Sequence, residues 1–126
     1  MNNFDFAVKT QLFFGKSREN EIGDIIFSYG FKKVLIITGQ SSVRKSGLLD
    51  TVIAKLNDKN ISYLLIEGIR VNPLINVVRE KIQEVKQYKP DLILAIGGGS
   101  VIDTAKSFAV SYFYDGDPFD FNLFKN

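Results

Sequence analysis

A chain of 126 residues has room for one domain, and a hydrophobic content of 45% supplies a substantial core. The 16 basic and 14 acidic residues are scattered and leave a net charge of +2, which gives no electrostatic support for nucleic-acid binding. The chain contains no His and no Cys. An ordinary zinc or iron site, or a nucleophile activated by His, therefore cannot be assembled from these residues.

The N-terminal stretch predicts no export or membrane insertion. Asp5 precedes any apolar run, and no basic segment is followed by a long apolar one, so we expect neither a signal peptide nor a membrane span. The absence of Cys suits a reducing compartment, and a cytoplasmic protein is expected. The segment Thr10 to Phe14 is predicted to be an extra strand, at a sheet edge or in a hairpin.

Three continuous apolar runs predict buried strands. They are VLIIT (34–38), YLLIE (63–67) and LILAI (92–96). Runs without polar alternation are typical of parallel strands that are covered on both faces.

Helical patterns lie between these runs. The first has Ser17 as a candidate N-cap and Gly30 as a stop, and the third opens with Asn72 as cap and Pro73 at the first helical position. The apolar stripes are Ile22, Ile25, Ile26 and Tyr29; Leu48, Leu49, Val52, Ile53 and Leu56; Leu74, Ile75, Val78, Ile82 and Val85; and Val101, Ile102, Ala105, Phe108, Ala109 and Tyr112. Alternating strands and helices predict an α/β fold with a doubly wound, mostly parallel, Rossmann-like sheet.

The segment LILAIGGGSVIDTAK carries the clearest functional pattern. A strand runs into Gly97, Gly98 and Gly99, and a helix follows. Glycines let backbone amides approach a phosphate closely, and the positive end of the helix points to the same place. The pattern is not the dinucleotide motif G-x-G-x-x-G, because Ile102 stands where its third glycine belongs, and it is not a P-loop. A tight turn is the alternative, but it needs fewer glycines, so phosphate binding is favoured.

The polar residues of the predicted loops allow two interpretations. Ser100 and Asp103 match a capping box in the first turn of the helix, or they contact a ligand, with Asp103 facing a neutral or cationic part of it. Ser41 and Ser42, after the strand that ends near Gly39, cap the next helix or bind a ribose or phosphate. Asn72 starts a helix or reaches a ligand.

The last stretch, Tyr114 to Asn126, is turn-rich and aromatic. It crowds together Phe119, Phe121, Leu123 and Phe124. Large apolar residues need a surface to pack against, so this tail either folds back over the domain or meets further protein.

The order of these features resembles the N-terminal cofactor domain of the iron-containing (group III) alcohol dehydrogenases, especially their butanol-dehydrogenase-like branch. The matching segments are FFGKS (13–17), VLIITGQSSVRKSGLLD (34–50), VNP (71–73), GGGSVIDTAK (97–106) and YDGDPFDF (114–121). The resemblance implies a dehydroquinate-synthase-like N-terminal domain.

The resemblance also implies which residues bind a nicotinamide dinucleotide. The glycine loop would hold the pyrophosphate and reach toward the nicotinamide, the loop after the first long strand would meet the adenosine ribose, and the Asn of the family's Pro-Asn-Pro turn would contact the cofactor. The implied residues are Gly97, Gly98, Gly99, Ser100 and Asp103; Gly39, Gln40, Ser41 and Ser42; and Asn72.

Two departures from the family pattern bear on the cofactor. Val71 replaces the first Pro of the turn, which loosens the turn without moving Asn72. Gly39 stands where relatives that prefer NAD have an Asp for the ribose hydroxyls. Without that carboxylate nothing repels a 2′-phosphate, so NADP is expected first and NAD second.

The length is the larger departure. Family members continue into a helical C-terminal domain with an Asp and several His residues that bind Fe²⁺ or Zn²⁺, and no such ligands occur here. Residues 1–126 are therefore expected to form the dinucleotide-binding domain of a longer enzyme that acts on a small alcohol or aldehyde and is a homodimer when complete, with no catalytic or metal-binding residue in this part. The alternatives are a glycerol-dehydrogenase-like or dehydroquinate-synthase-like relative, and a stand-alone α/β phosphate- or nucleotide-binding module.

Overall fold

Four strands and four helices alternate in the part of the chain that the structure describes. The computed structural model describes residues 9–12, 21–39, 46–69 and 75–112. The elements are β1 (Lys9–Leu12), α1 (Ile22–Ser28), β2 (Lys33–Gly39), α2 (Leu48–Asp58), β3 (Ser62–Ile69), α3 (Ile75–Tyr88), β4 (Leu92–Ile96) and α4 (Gly99–Tyr112). Ser17, Gln40, Ser41, Ser42, Asn72 and the aromatic tail lie outside the described residues.

The strands form one sheet in the order β1-β4-β2-β3, and every described pair is parallel. This confirms the predicted α/β class with a parallel sheet. Among the described strands β1 lies at the edge of the sheet, as expected, and it runs parallel to β4, with Lys9 opposite Leu92, so these two strands do not form a hairpin with each other; a hairpin with neighbouring residues outside the described ones stays a prediction. A parallel partner requires a crossover, which a hairpin turn cannot provide.

The sheet is covered on both faces, which explains why its strands read as continuous apolar runs. In β2, Val34 and Ile36 pack into one core cluster and Leu35 and Ile37 into the other. The first cluster contains the apolar sides of α1 and α2, and the second contains those of α3 and α4. The result is a three-layer arrangement with helices on either side of the sheet.

The predicted helical stripes are largely confirmed. The buried members are Ile22 and Ile26 in α1; Leu49, Val52 and Leu56 in α2; Val78, Ile82 and Val85 in α3; and Val101, Ala105 and Phe108 in α4. Gly30 follows α1 with a φ of +82°, as expected of a residue that ends a helix. The prediction that Tyr29 belongs to the apolar stripe of α1 is wrong. The helix ends at Ser28, and Tyr29 is 59% exposed.

The carboxylate of Asp91 joins the two central strands, β2 and β4, where both begin. The Asp91 side chain accepts hydrogen bonds from the backbone amides of Lys32 (3.0 Å) and Lys33 (2.9 Å), and the Asp91 amide donates to the Lys33 carbonyl at 2.8 Å. These bonds join the start of β4 to the start of β2. Because both strands are joined at their amino ends, their carboxyl ends lie together at the opposite end of the sheet, where Thr38 pairs with Ile96.

Candidate functional site

The carboxyl ends of β2 and β4 lie side by side, and the next described helix after each strand packs on a different face of the sheet. α2 follows β2 onto one face of the sheet, and α4 follows β4 onto the other. Such a divergence is a topological switch point, the place at which open α/β sheets commonly bind ligands. Gly39 and the glycine triplet flank this place, so the structure brings these two parts of the predicted site together.

Gly97 has a structural reason to be glycine. Its φ is +151°, an angle that residues other than glycine rarely adopt. An ideal Cβ built on it would lie 2.7 Å from Cγ2 of Val101. The same Cβ would lie 3.6 Å from the backbone nitrogen of Gly39. The fold itself therefore demands glycine at this position.

Gly98 and Gly99 have no such reason. Both are exposed, neither has a positive φ, and a Cβ added to either would meet no atom within 4 Å. An alanine at either position would therefore fit the described chain. The absence of side chains on both residues, beside the switch point, suits a ligand that must approach the backbone closely.

The first turn of α4 presents its amides at the same place. The Gly98 carbonyl accepts hydrogen bonds from the amides of Val101 and Ile102, both at 3.1 Å, so the amides of Gly98 and Gly99 precede the first bonds within the helix. With 14 residues, α4 has a substantial dipole with its positive end there. The arrangement favours a bound anion.

The predicted capping box is wrong. α4 begins at Gly99, so Ser100 is already a helical residue rather than a cap, and the first turn contains no acidic residue, which places Asp103 beyond it. Gly98 takes the capping position instead, and its carbonyl starts the helix. The alternative that Ser100 and Asp103 contact a ligand stays a prediction.

The backbone carbonyls of Ser100 and Asp103 accept hydrogen bonds from hydroxyl groups one turn further along α4. Thr104 Oγ1 donates to the Ser100 carbonyl at 2.8 Å, and Ser107 Oγ donates to the Asp103 carbonyl at 3.0 Å. Ser100 is half-buried, whereas Asp103 is exposed. The carboxylate of Asp103 is therefore open to solvent close to the start of α4.

The end of β3 shows a feature that the sequence analysis missed. Ile37 pairs with Ile66 but Gly39 pairs with Ile69, so Glu67 and Gly68 together stand opposite Thr38. Gly68 has a φ of +85°, and Glu67 is exposed. Bulges of this kind redirect a strand near functional sites. The glycine after YLLIE was the available indication.

Two further features are absent from the described part of the chain. Within those residues, no group of three or more His, Cys, Asp or Glu side chains is placed to hold a metal ion, and no helix has the length and apolar character needed to cross a bilayer. Burial raises the pKa of the Tyr112 phenol above its ordinary value of 10, but Tyr112 is at the far end of α4 from the glycines.

Comparison with known proteins agrees with this geometry. The model of the family described as "Iron-containing alcohol dehydrogenase" matches residues 9–125, which is nearly the entire chain. The chain belongs to the iron-containing alcohol dehydrogenase family. The resemblance drawn from the glycine segment and its flanking motifs is thereby confirmed.

Named members of the iron-containing alcohol dehydrogenases extend the comparison. The chain is 40% identical over 120 residues to the NADH-dependent butanol dehydrogenase A of Clostridium acetobutylicum, covering 95% of this chain and 31% of that protein. It is 35% identical over 114 residues to an NADPH-dependent aldehyde reductase of Escherichia coli, covering 90% of this chain and 28% of that protein.

A solved structure confirms the fold of this family. The NADH-dependent butanol dehydrogenase A of Thermotoga maritima superposes with a TM-score of 0.80 at 36% identity, over 95% of this chain and 30% of that one. The chain thus spans less than a third of the length of each of these three relatives.

Proposed function

We propose that residues 1–126 form the dinucleotide-binding domain of a longer alcohol dehydrogenase that transfers hydride between a small primary alcohol or aldehyde and a nicotinamide cofactor. The observation that carries the proposal is the open backbone at Gly98 and Gly99, ahead of the positive end of α4. A diphosphate is the anion that this backbone would take. Family membership supplies the reaction class.

We call the backbone of Gly97, Gly98 and Gly99 at the start of α4 the cradle, and a dinucleotide is the ligand that we propose for it. The amides at Gly97, Gly98 and Gly99 would hold the diphosphate, and the loop of Gly39, Gln40, Ser41 and Ser42 would meet the adenosine ribose. Ser100 and Asp103 would lie toward the nicotinamide, with Asn72 as a further contact. When bound, the nicotinamide ring accepts or donates the hydride. This chain's own residues bind and orient that cofactor.

We propose NADP as the preferred cofactor and NAD as the second choice. Gly39 offers no carboxylate to repel a 2′-phosphate or to bind the two ribose hydroxyls. Relatives named as NADH-dependent and as NADPH-dependent both occur, so family membership alone does not choose between them. Parallel titrations of the complete protein with NADPH and NADH test the preference, and tighter binding of NADH would contradict it.

The family's metal does not fit this part of the protein. A site for Fe²⁺ or Zn²⁺ needs imidazole or thiolate ligands in its usual forms, and the chain contains neither His nor Cys. We propose that the metal ligands belong to a helical C-terminal domain of the complete protein, which we expect to be a cytoplasmic homodimer. Residues 1–126 alone would then bind cofactor without turning over alcohol.

Alanine and valine at residue 98 test the cradle in the complete protein. Gly98→Ala should leave the free energy of unfolding nearly unchanged, because its Cβ meets no atom within 4 Å. It should raise the Kd for NADPH by about tenfold, which corresponds to about 1.4 kcal/mol. Gly98→Val should abolish measurable binding, because the branched side chain would occupy the space of the phosphate.

Fluorescence titration with NADPH and urea unfolding provide the two readouts. Unfolding measured on each variant controls for damage to the fold. Wild-type affinity in both variants would contradict the proposed cradle, and so would a wild-type protein that does not bind either dinucleotide.

A further inference from the structure

Gly97 lies between the side chain of Val101 and the backbone of Gly39. The Cβ that Gly97 lacks would lie 2.7 Å from Cγ2 and 3.2 Å from Cβ of Val101, and 3.6 Å from the backbone nitrogen of Gly39. The end of β2, the turn after β4 and the first turn of α4 therefore meet around Gly97. The space left by the missing side chain is filled from within the protein.

Val101 is well placed to fix this junction. Its side chain is 3% exposed and belongs to the same core cluster as Leu35 and Ile37 of β2. A β-branched side chain in a helix has one strongly preferred rotamer, so Cγ2 has a defined position against Gly97. The Val101 amide also donates to the Gly98 carbonyl at 3.1 Å. Backbone and side chain of Val101 thus hold the same turn.

We propose that Val101 is a positioning residue for the diphosphate cradle. It sets the separation between Gly39 and the turn that carries the amides of Gly98 and Gly99. Because the side chain is buried, Val101 does not touch a ligand and acts through Gly97. The affinity part of this inference rests on the proposed function, whereas the junction itself does not.

Three variants in the complete protein separate positioning from ordinary core packing. Val101→Ala removes both γ-methyl groups and leaves a gap beside Gly97. Val101→Thr keeps the branched shape but buries a hydroxyl, so it lowers stability without opening that gap. Val85→Ala is the matched control, because Val85 is fully buried in the same core cluster but lies on α3.

The expected pattern differs between stability and affinity. All three variants should lower the free energy of unfolding. Only Val101→Ala should raise the Kd for NADPH, by about tenfold, since a small misplacement of binding groups weakens binding strongly. Equal losses of affinity in Val101→Ala and Val85→Ala, or wild-type affinity in Val101→Ala, would overturn the role in binding.

Hydrogen exchange without ligand tests the junction independently. Val101→Ala should speed amide exchange at least threefold in peptides that cover Gly39 and residues 97–99, and Val101→Thr and Val85→Ala should change it less than twofold. Unchanged exchange in Val101→Ala would overturn the inference even if NADPH binds. Faster exchange in a protein that binds no dinucleotide would support the junction while the proposed function fails.

Discussion

Three consecutive glycines serve two different purposes in this chain. Gly97 is glycine because the fold has no room for a side chain and requires its backbone angle. Gly98 and Gly99 face open space, where the fold would accept alanine. Residue 97 therefore meets a requirement of the fold, whereas the free space at residues 98 and 99 leaves room for the proposed ligand.

Alanine substitutions should separate these purposes in unfolding experiments. Gly97→Ala should lower the free energy of unfolding by about 2 kcal/mol, because Cβ collides with Val101 and the backbone angle is unfavourable. Gly98→Ala is the control, with an expected change within about 0.5 kcal/mol. Urea denaturation of both proteins measures the difference. Equal stability of the two variants would contradict the assignment.

The sequence predicted the position of this turn but not its details. LILAI followed by three glycines located the end of β4 and the start of a helix. Which glycine the fold requires depends on how close Val101 and Gly39 approach, and no local pattern contains that distance. Ser100 and Asp103 matched a capping motif by spacing alone, yet the helix begins at Gly99, because the Gly98 carbonyl accepts its first bonds.

At the scale of elements, α4 buries several polar side chains. Thr104, Ser107 and Ser111 are all buried, and none belongs to the predicted apolar stripe. Thr104 and Ser107 donate to carbonyls of their own helix, so their polarity is satisfied locally and small side chains can pack inward. Hydrophobicity patterns cannot detect such burial, whereas they identified the apolar faces of α2 and α3 correctly.

Ser111 differs from Thr104 and Ser107. Its Oγ is buried and has no hydrogen-bond partner among the described residues. Ser111→Ala should therefore leave the free energy of unfolding unchanged or raise it by up to about 1 kcal/mol. Ser107→Ala, which removes a 3.0 Å bond, should lower it by about 1 kcal/mol. Thermal and urea unfolding test this, and a loss in Ser111→Ala as large as in Ser107→Ala would contradict it.

At the scale of the whole molecule, the chain lacks the imidazole and thiolate ligands of an ordinary Fe²⁺ or Zn²⁺ site. With neither His nor Cys in its 126 residues, we expect Fe²⁺ and Zn²⁺ to leave the Tm of residues 1–126 unchanged relative to Mg²⁺. Thermal unfolding of this chain with each cation provides the measurement. A rise in Tm specific to Fe²⁺ or Zn²⁺ would place metal ligands in this part of the protein.

The position of β1 has a consequence for how the protein is made. Of the described strands, Lys9–Leu12 comes first along the chain, but its partner is the last, Leu92–Ile96. On a translating ribosome, β2 and β3 can already pair while β1 still waits for β4 to emerge from the exit tunnel. We therefore expect β1 to be synthesised before the other described strands but placed among the last, and its unpaired backbone to be open until then to chaperones or to neighbouring nascent chains.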